Sequence, residues 1–275
     1  MKPWMLWTLA LLITLASAVY QRLTGPTHPM RGQKEIGGQT VKYRLVRSHP
    51  GAGDAQVTVP APGPIQGTLV WRRFKTSDAW TRTPMERRGA ELTAPLPHQP
   101  PAGKLEYRVI LELGPERVWL TGPPVVIRFR GHVPDAVLII HVILMFAAML
   151  WSNRAGLELL NPQPQFWKLA LPSLVLLTLG GMILGPIVQK YAFGAFWTGW
   201  PFGTDLTDNK TAAAWIAWIL AVFALRRRWT RPGAWVAAAS LITLLIYLIP
   251  HSLFGSELKY EDSLPQPSSP QKLVE

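Results

Sequence analysis

Six side chains able to ligate a metal or exchange a proton lie at or near the ends of apolar runs: His132, Asp135, His141, Asp205, Asp208 and His251. Two imidazoles with a carboxylate, as in His132, His251 and Asp135, form the donor set of a transition-metal site. Asp205 and Asp208, with Asn209 and the threonines at 204, 207 and 211, place hard oxygen donors close together. Such donors suit a divalent cation, although the spacing lacks the longer ligand series and distal glutamate of an EF-hand. His141 and His251 offer two nitrogens for the axial positions of a b-type haem. At 1.5 Å rise per residue their depths differ by about 10 Å, which argues against that pairing. Each group also has a plainer role. Asp205 or Thr207 can cap a helix that begins here, with Asp208 in its first turn opposing the dipole. His141 can be a neutral ring hydrogen-bonded to a neighbouring helix, since a charge at that depth is costly.

The elements that carry these residues are long apolar runs at 134–152, 167–188, 212–228 and 233–250. A bilayer core about 30 Å thick needs roughly 20 mostly apolar residues per helix. The third run reaches that length if Arg226 and Arg227 snorkel to the interface. An apolar stretch at 1–20 precedes them and is expected to be either an uncleaved anchor or a signal peptide, since Ala16-Ser17-Ala18 has a small-x-small pattern. Between the second and third runs, 189–211 holds three glycines and five aromatics from Phe193 onward, an ordered loop at the interface. Gly180, Gly181 and Gly185, followed by Pro186, mark a close helix seam or the wall of a pocket.

Arg226, Arg227, Arg228 and Arg231 form the densest basic cluster at a membrane boundary. The positive-inside rule puts them in the cytoplasm and puts 21–133, the 189–211 loop and the 251–275 tail outside. The expected location is a cell inner membrane, crossed several times, with the large domain in the periplasm. There is no cysteine, so disulfides, thiolate chemistry and covalent haem attachment are excluded. The net charge of +12 is read as topology plus a basic extramembrane face rather than nucleic-acid binding.

That face belongs to 21–133, where 17 basic against 8 acidic side chains give a net of +9. Strand-like pieces at 41–46, 55–59, 67–74, 91–96, 104–113 and 125–130 alternate with Pro/Gly turns. In the fifth, Leu105, Tyr107, Val109, Leu111 and Leu113 share one face, opposite Glu106, Arg108 and Glu112. The expectation is an all-β immunoglobulin- or fibronectin-like sandwich on the outer side of a multi-pass α-helical membrane protein. Arg72, Arg73, Arg87 and Arg88, interleaved with Trp71 and Trp80, have the composition of a docking surface.

No phosphate loop, dinucleotide fingerprint, HExxH or serine-nucleophile elbow occurs, and no residue is assigned a catalytic role. The leading expectation is an interaction or assembly subunit that docks a membrane or periplasmic partner through the basic domain. A metal- or haem-binding redox component with its site at the outer mouth of the helices is the first alternative. A transporter subunit is the second, though few charges lie within the runs.

Overall fold

The computed structural model describes residues 1–250 and 257–260. These residues form two compact units: Met1–His28 with 131–250, and Pro29–Arg130 with 257–260. The first is helical, and the second is built of strands.

The strand unit contains β1 (Met30–Ile36), β2 (Gln39–Leu45), β3 (Ser48–Pro50), β4 (Ala55–Pro60), β5 (Gln66–Arg73), β6 (Thr81–Pro84), β7 (Glu86–Arg88), β8 (Glu91–Leu96), β9 (Lys104–Leu113), β10 (Glu116–Trp119) and β11 (Val125–Arg130). A six-stranded sheet runs β3-β11-β9-β5-β6, with β10 also paired to β9. A three-stranded sheet runs β4-β8-β7, and β1 and β2 form a hairpin. All pairs are antiparallel except β3 with β11. The hairpin turns at Gly37 and Gly38, whose φ of +54° and +71° are the left-handed values a two-residue turn demands.

One apolar core joins the three sheets. Val57, Val59, Leu92 and Leu96 come from the small sheet, Leu69, Leu105, Tyr107, Val109, Leu111, Ile127 and Phe129 from the large one, and Val41 and Leu45 from the hairpin. The alternation along β9 produces this directly, since every second residue from Leu105 to Leu111 is inward and fully buried. Glu106 alternates outward and is nevertheless buried, because β9 is central and Arg72 of β5 lies over it at 2.6 Å. Tyr107 donates to the Val46 carbonyl at 2.7 Å, and burial holds its phenol well above its ordinary pKa. Residues 257–260 lie along the start of β9. The Tyr260 hydroxyl accepts from Lys104 N at 2.9 Å and donates to Lys104 O at 2.8 Å, and Glu257 pairs with Lys104.

The helical unit contains α1 (Pro3–Thr24), α2 (Asp135–Gly156) with a 3-10 turn at Leu157–Leu160, α3 (Phe166–Leu177), a π-helical segment at Thr178–Leu184, α4 (Gly185–Phe193), α5 (Leu206–Arg226) and α6 (Pro232–Leu248). Three stretches are long and apolar enough to cross a membrane: Pro3–Thr24, Asp135–Leu160 and Phe166–Phe193. α6 is apolar but has 17 residues. α5 begins at 206, six residues earlier than its apolar run, because Asp205 caps it.

Small residues let these helices approach. Ala148, Ala155, Ala170, Ala214, Ala221 and Ala239 line the core around Trp218, whose indole donates to Thr243 at 2.9 Å. A Cβ on Gly156 would fall 2.3 Å from Ser240 Oγ, and one on Gly233 2.7 Å from the Phe166 ring. These contacts bring the end of α2, the start of α3 and the start of α6 to one end of the unit. At the other end, Lys210 donates to Ile249 O at 2.7 Å and Gln21 to Tyr247 O at 2.8 Å.

Candidate functional site

His141 sits on α2, in the half away from the Arg154 end. Its Nδ1 lies 3.0 Å from the Gly180 carbonyl. A carbonyl only accepts, so Nδ1 carries the proton, and in the neutral ring Nε2 is left with a lone pair. Two local features build this contact. A Cβ at Gly180 would fall 3.0 Å from both Leu144 Cβ and Met145 Sδ, so the glycine lets α2 come close. Pro186 has no N–H, and the preceding turns adopt π geometry, with Gly185 N donating to Gly180 O. The glycine run read as a seam or pocket wall therefore also supplies the acceptor that orients the histidine.

The imidazole lines a cavity of about 320 Å³. Its walls come from four helices: Ser17 and Gln21 of α1, His141, Met145, Phe146 and Met149 of α2, Val188 of α4 and Tyr247 of α6. His141, Met145 and Met149 follow at i, i+4 and i+8, which puts them on one helix face. The polar groups around them are mostly engaged. Tyr247 donates to Met145 O at 3.2 Å, Ser17 donates to Ile13 O at 2.8 Å, and Gln21 donates to the end of α6. Val142 and Phe146, also in the lining, are exposed on the apolar outer surface of the unit, so the cavity opens sideways through that surface.

The loop between α4 and α5 is held by the two aspartates. Asp205 caps α5, its carboxylate accepting from Thr207 N at 2.7 Å. Asp208 Oδ2 accepts from Thr198 N at 2.6 Å, Gly199 N at 2.9 Å and Gln189 Nε2 at 3.1 Å. Asn209 accepts from Trp200 N at 2.6 Å. Three successive backbone N–H groups are thereby fastened to the first turn of α5. The loop presents Trp200 and Phe202 outward, at 78% and 82% exposure. Lys210 points to Ile249 O rather than forming a hydrogen bond with either aspartate.

Among the described residues, no group of three or more histidine, aspartate or glutamate side chains is placed to hold a metal ion. His132 and Asp135 are exposed, and Asp205 and Asp208 are buried in the loop's own hydrogen bonds. His251, a member of both the metal set and the haem pair with His141, lies outside the described residues.

The four arginines do not share one sheet. Arg72 and Arg73 are on β5, and Arg87 and Arg88 are on β7 of the small sheet. Arg72 pairs with Glu106 and lies over Trp80, and Arg73 pairs with Asp78 at 2.5 Å. Arg87 donates to the carbonyls of Ala61 and Ile65, and Arg88 reaches Glu86 at 3.4 Å. A cluster the sequence did not single out is Arg108 stacked 4.0 Å over Trp119. The pairing of Val70 with Arg108 and of Arg72 with Glu106 puts Arg72 and Arg108 on one face of the large sheet.

At the C-terminal end of α2, Arg154 and Glu158 form a buried ion pair at 2.5 Å. Glu158 also accepts from Asn161 and from Gln165 N, both at 2.8 Å. The pair is i, i+4 along the chain and belongs to a network that fastens the α2–α3 turn.

No known protein family matches the chain, and no curated protein or solved structure does either.

Proposed function

We propose that this is a multi-pass inner-membrane protein whose helical unit binds a lipid-soluble small molecule in the cavity beside His141. The observation that carries this reading is the oriented imidazole in an apolar cavity that opens through an apolar exterior. Ligand sites are concave and mostly apolar, with few polar groups that fix orientation. An ionisable group at membrane depth is costly and marks function by default.

Membrane residence is supported by the helices' outer surfaces. Ile139, Ile143, Val175, Leu179, Ile183, Ile216, Leu220 and Leu241 are all exposed large apolar side chains, spread over α2, α3, α5, α6 and the π segment. α5 and α6 are thus counted as spans with the three longer stretches. The exposed arginines at 226–228 support a cytoplasmic location for their end by the positive-inside rule. The strand unit is then periplasmic. Its two main sheets contribute to one core, which favours the sandwich class. α1 supplies part of the cavity wall, so on this reading it is retained after insertion rather than cleaved.

A second reading has a specific observation in its favour. Trp80 and Trp119, each stacked by an arginine and each over a third exposed, are the kind of residue through which partners dock. On that reading the strand unit recruits a periplasmic or membrane partner, and the protein is an assembly or interaction subunit. It predicts that Trp80→Ala with Trp119→Ala releases a co-purifying protein while the fold is kept.

The cavity reading is tested on the purified full chain in mild detergent with a lipophilic fluorescent probe. Saturable binding of one probe per chain is expected, abolished by Val142→Trp with Phe146→Trp, which fill the mouth. Binding that never saturates, or that the paired substitution leaves unchanged, overturns it.

A further inference from the structure

We infer that the ligand of this cavity is a hydroquinone-type ring that donates a hydroxyl hydrogen bond to His141 Nε2; this rests on the cavity reading above. The direction of the bond follows from the tautomer. Gly180 O takes the Nδ1 proton at 3.0 Å, so the neutral ring offers the cavity an acceptor and no donor. The ligand must bring the donor. A quinone, with carbonyls alone, leaves Nε2 facing an acceptor, and an unmatched buried polar pair is costly. A hydroquinone meets it with O–H.

Three further features select a ring over an alkyl chain. The volume of about 320 Å³ matches a compact headgroup and is at the small end for binding cavities, which run from roughly 300 to 1,000 Å³. Met145 and Met149 line the cavity on the same face as His141, and thioethers contact aromatic rings favourably. Phe146 lines the open side, where a ring can pack edge to face or offset. The sideways opening gives a hydrophobic molecule a route from the bilayer without crossing water.

The test is displacement of the lipophilic probe from the unmodified protein by three competitors: a short-tailed benzoquinol kept reduced under argon, the matching quinone, and a long-chain primary alcohol. The quinol is expected to bind about tenfold more tightly than the quinone, the worth of one well-made hydrogen bond against an unmatched one. The alcohol is expected to be weaker than the quinol, since it donates but has no ring. His141→Leu should equalise quinol and quinone, while His141→Gln, whose amide can donate to Gly180 and accept from the ligand, should retain part of the preference. Equal binding of quinol and quinone to the unmodified protein, or an alcohol as tight as the quinol, sinks this inference and leaves the cavity reading standing. Failure of the probe itself to bind saturably sinks the cavity reading instead. Because the first comparison uses the unmodified chain, a misfolded His141 variant does not blunt it.

Discussion

The two units of this protein are packed by opposite rules. The strand unit puts Leu69, Leu105, Val109 and Phe129 inside and leaves Lys42, Arg44 and Arg88 at the surface. The helical unit exposes Ile143, Val175 and Leu245 and keeps Arg154, Glu158, Asn153 and Ser240 inside. Burying apolar surface stabilises a fold only where the alternative is water. In the strand unit, apolar burial therefore does the work. In the helical unit, close packing of small residues and internal polar bonds hold the helices together, as expected if its apolar exterior meets lipid. On the proposed membrane reading one chain carries two solvent assignments, and polar side chains inside the helical unit are the place to look for both stability and function.

The sharpest way to break this comparison is the buried ion pair. Arg154 and Glu158 are 3% and 1% exposed. Glu158→Ala leaves a buried guanidinium unpaired and also frees Asn161 and Gln165 N, so a loss of about 3–5 kcal/mol is expected. The double substitution Arg154→Met with Glu158→Leu removes both charges and should recover most of it. Unfolding of the purified protein in mixed detergent micelles measures both. A double variant no better than the single one would mean the pair is not what stabilises this end.

A smaller effect tests the solvent assignment itself. Ile143 is 61% exposed on α2. Ile143→Lys puts a charge on a face read as meeting hydrocarbon, at about 2.5–3.5 kcal/mol against insertion. Thr40→Lys, on an exposed position of β2, should stay within about 0.5 kcal/mol. Membrane-fraction yield of the two variants compares them. Equal yields would contradict the reading of that helix face.

Next in size is the loop that Asp208 holds. Asp208→Ala strands the N–H groups of Thr198 and Gly199, at about 1–3 kcal/mol of local stability, and should expose the bond region 196–203 to protease. Asp135→Ala, an exposed carboxylate in the first turn of α2, is the control and should leave cleavage unchanged. Protection that survives Asp208→Ala would show that Gln189 and Asn209 suffice to hold the loop.

How much of this was legible in the sequence varied with the range of the interaction. The alternation from Leu105 to Leu113 gives β9 outright, because the signal and its cause lie in consecutive residues. β6 and β7, which are TRTP and ERR, carry no apolar alternation and exist only because β5 and β8 offer them a paired edge. His141 was conspicuous because an ionisable side chain in an apolar run is costly wherever it goes. Its partner was not, since the Gly180 carbonyl belongs to a π turn in which it also accepts from Gly185 N, and glycine next to proline signals a break without giving the register. The cavity walls come from α1, α2, α4 and α6, and nothing local in Gln21 or Tyr247 says that they meet. The i, i+4, i+8 run of His141, Met145 and Met149 was the one readable trace, and packing explained the two methionines equally well. Arg72 looked free for docking because Glu106 is 34 residues away and reaches it only through the β5–β9 register.

The smallest effect is the response of the strand unit to pH, for which both titrating groups lie in that unit. In the strand unit, the hydrogen bond from Arg73 holds the Asp78 carboxyl below its ordinary range, with burial opposing. Its folded value is thus depressed, so the stability it contributes is present above the unfolded aspartate value of about 3.9 and is lost as pH falls through the folded one. Both partners are about a quarter to a third exposed, at 26% and 30% of side-chain area, so the pair is worth no more than about 0.2–1 kcal/mol. At the other limb, burial pushes the Tyr260 phenol up to about 12. That folded value is raised above the unfolded tyrosine value of about 10, so stability is constant below pH 10 and falls as pH rises from there toward 12. Tyr260→Phe should flatten the alkaline limb, and Asp78→Asn should flatten the acid limb while also easing the Tyr260 phenol down, since the Asp78 charge helps to raise it. Denaturant titrations across pH on the full chain, followed by the strand unit's amide hydrogen exchange, separate the two limbs. An acid limb unchanged by Asp78→Asn would place the titrating carboxylate elsewhere, and Glu257, whose carboxyl the Lys104 and Lys75 bonds hold down against burial, would be the next one to replace.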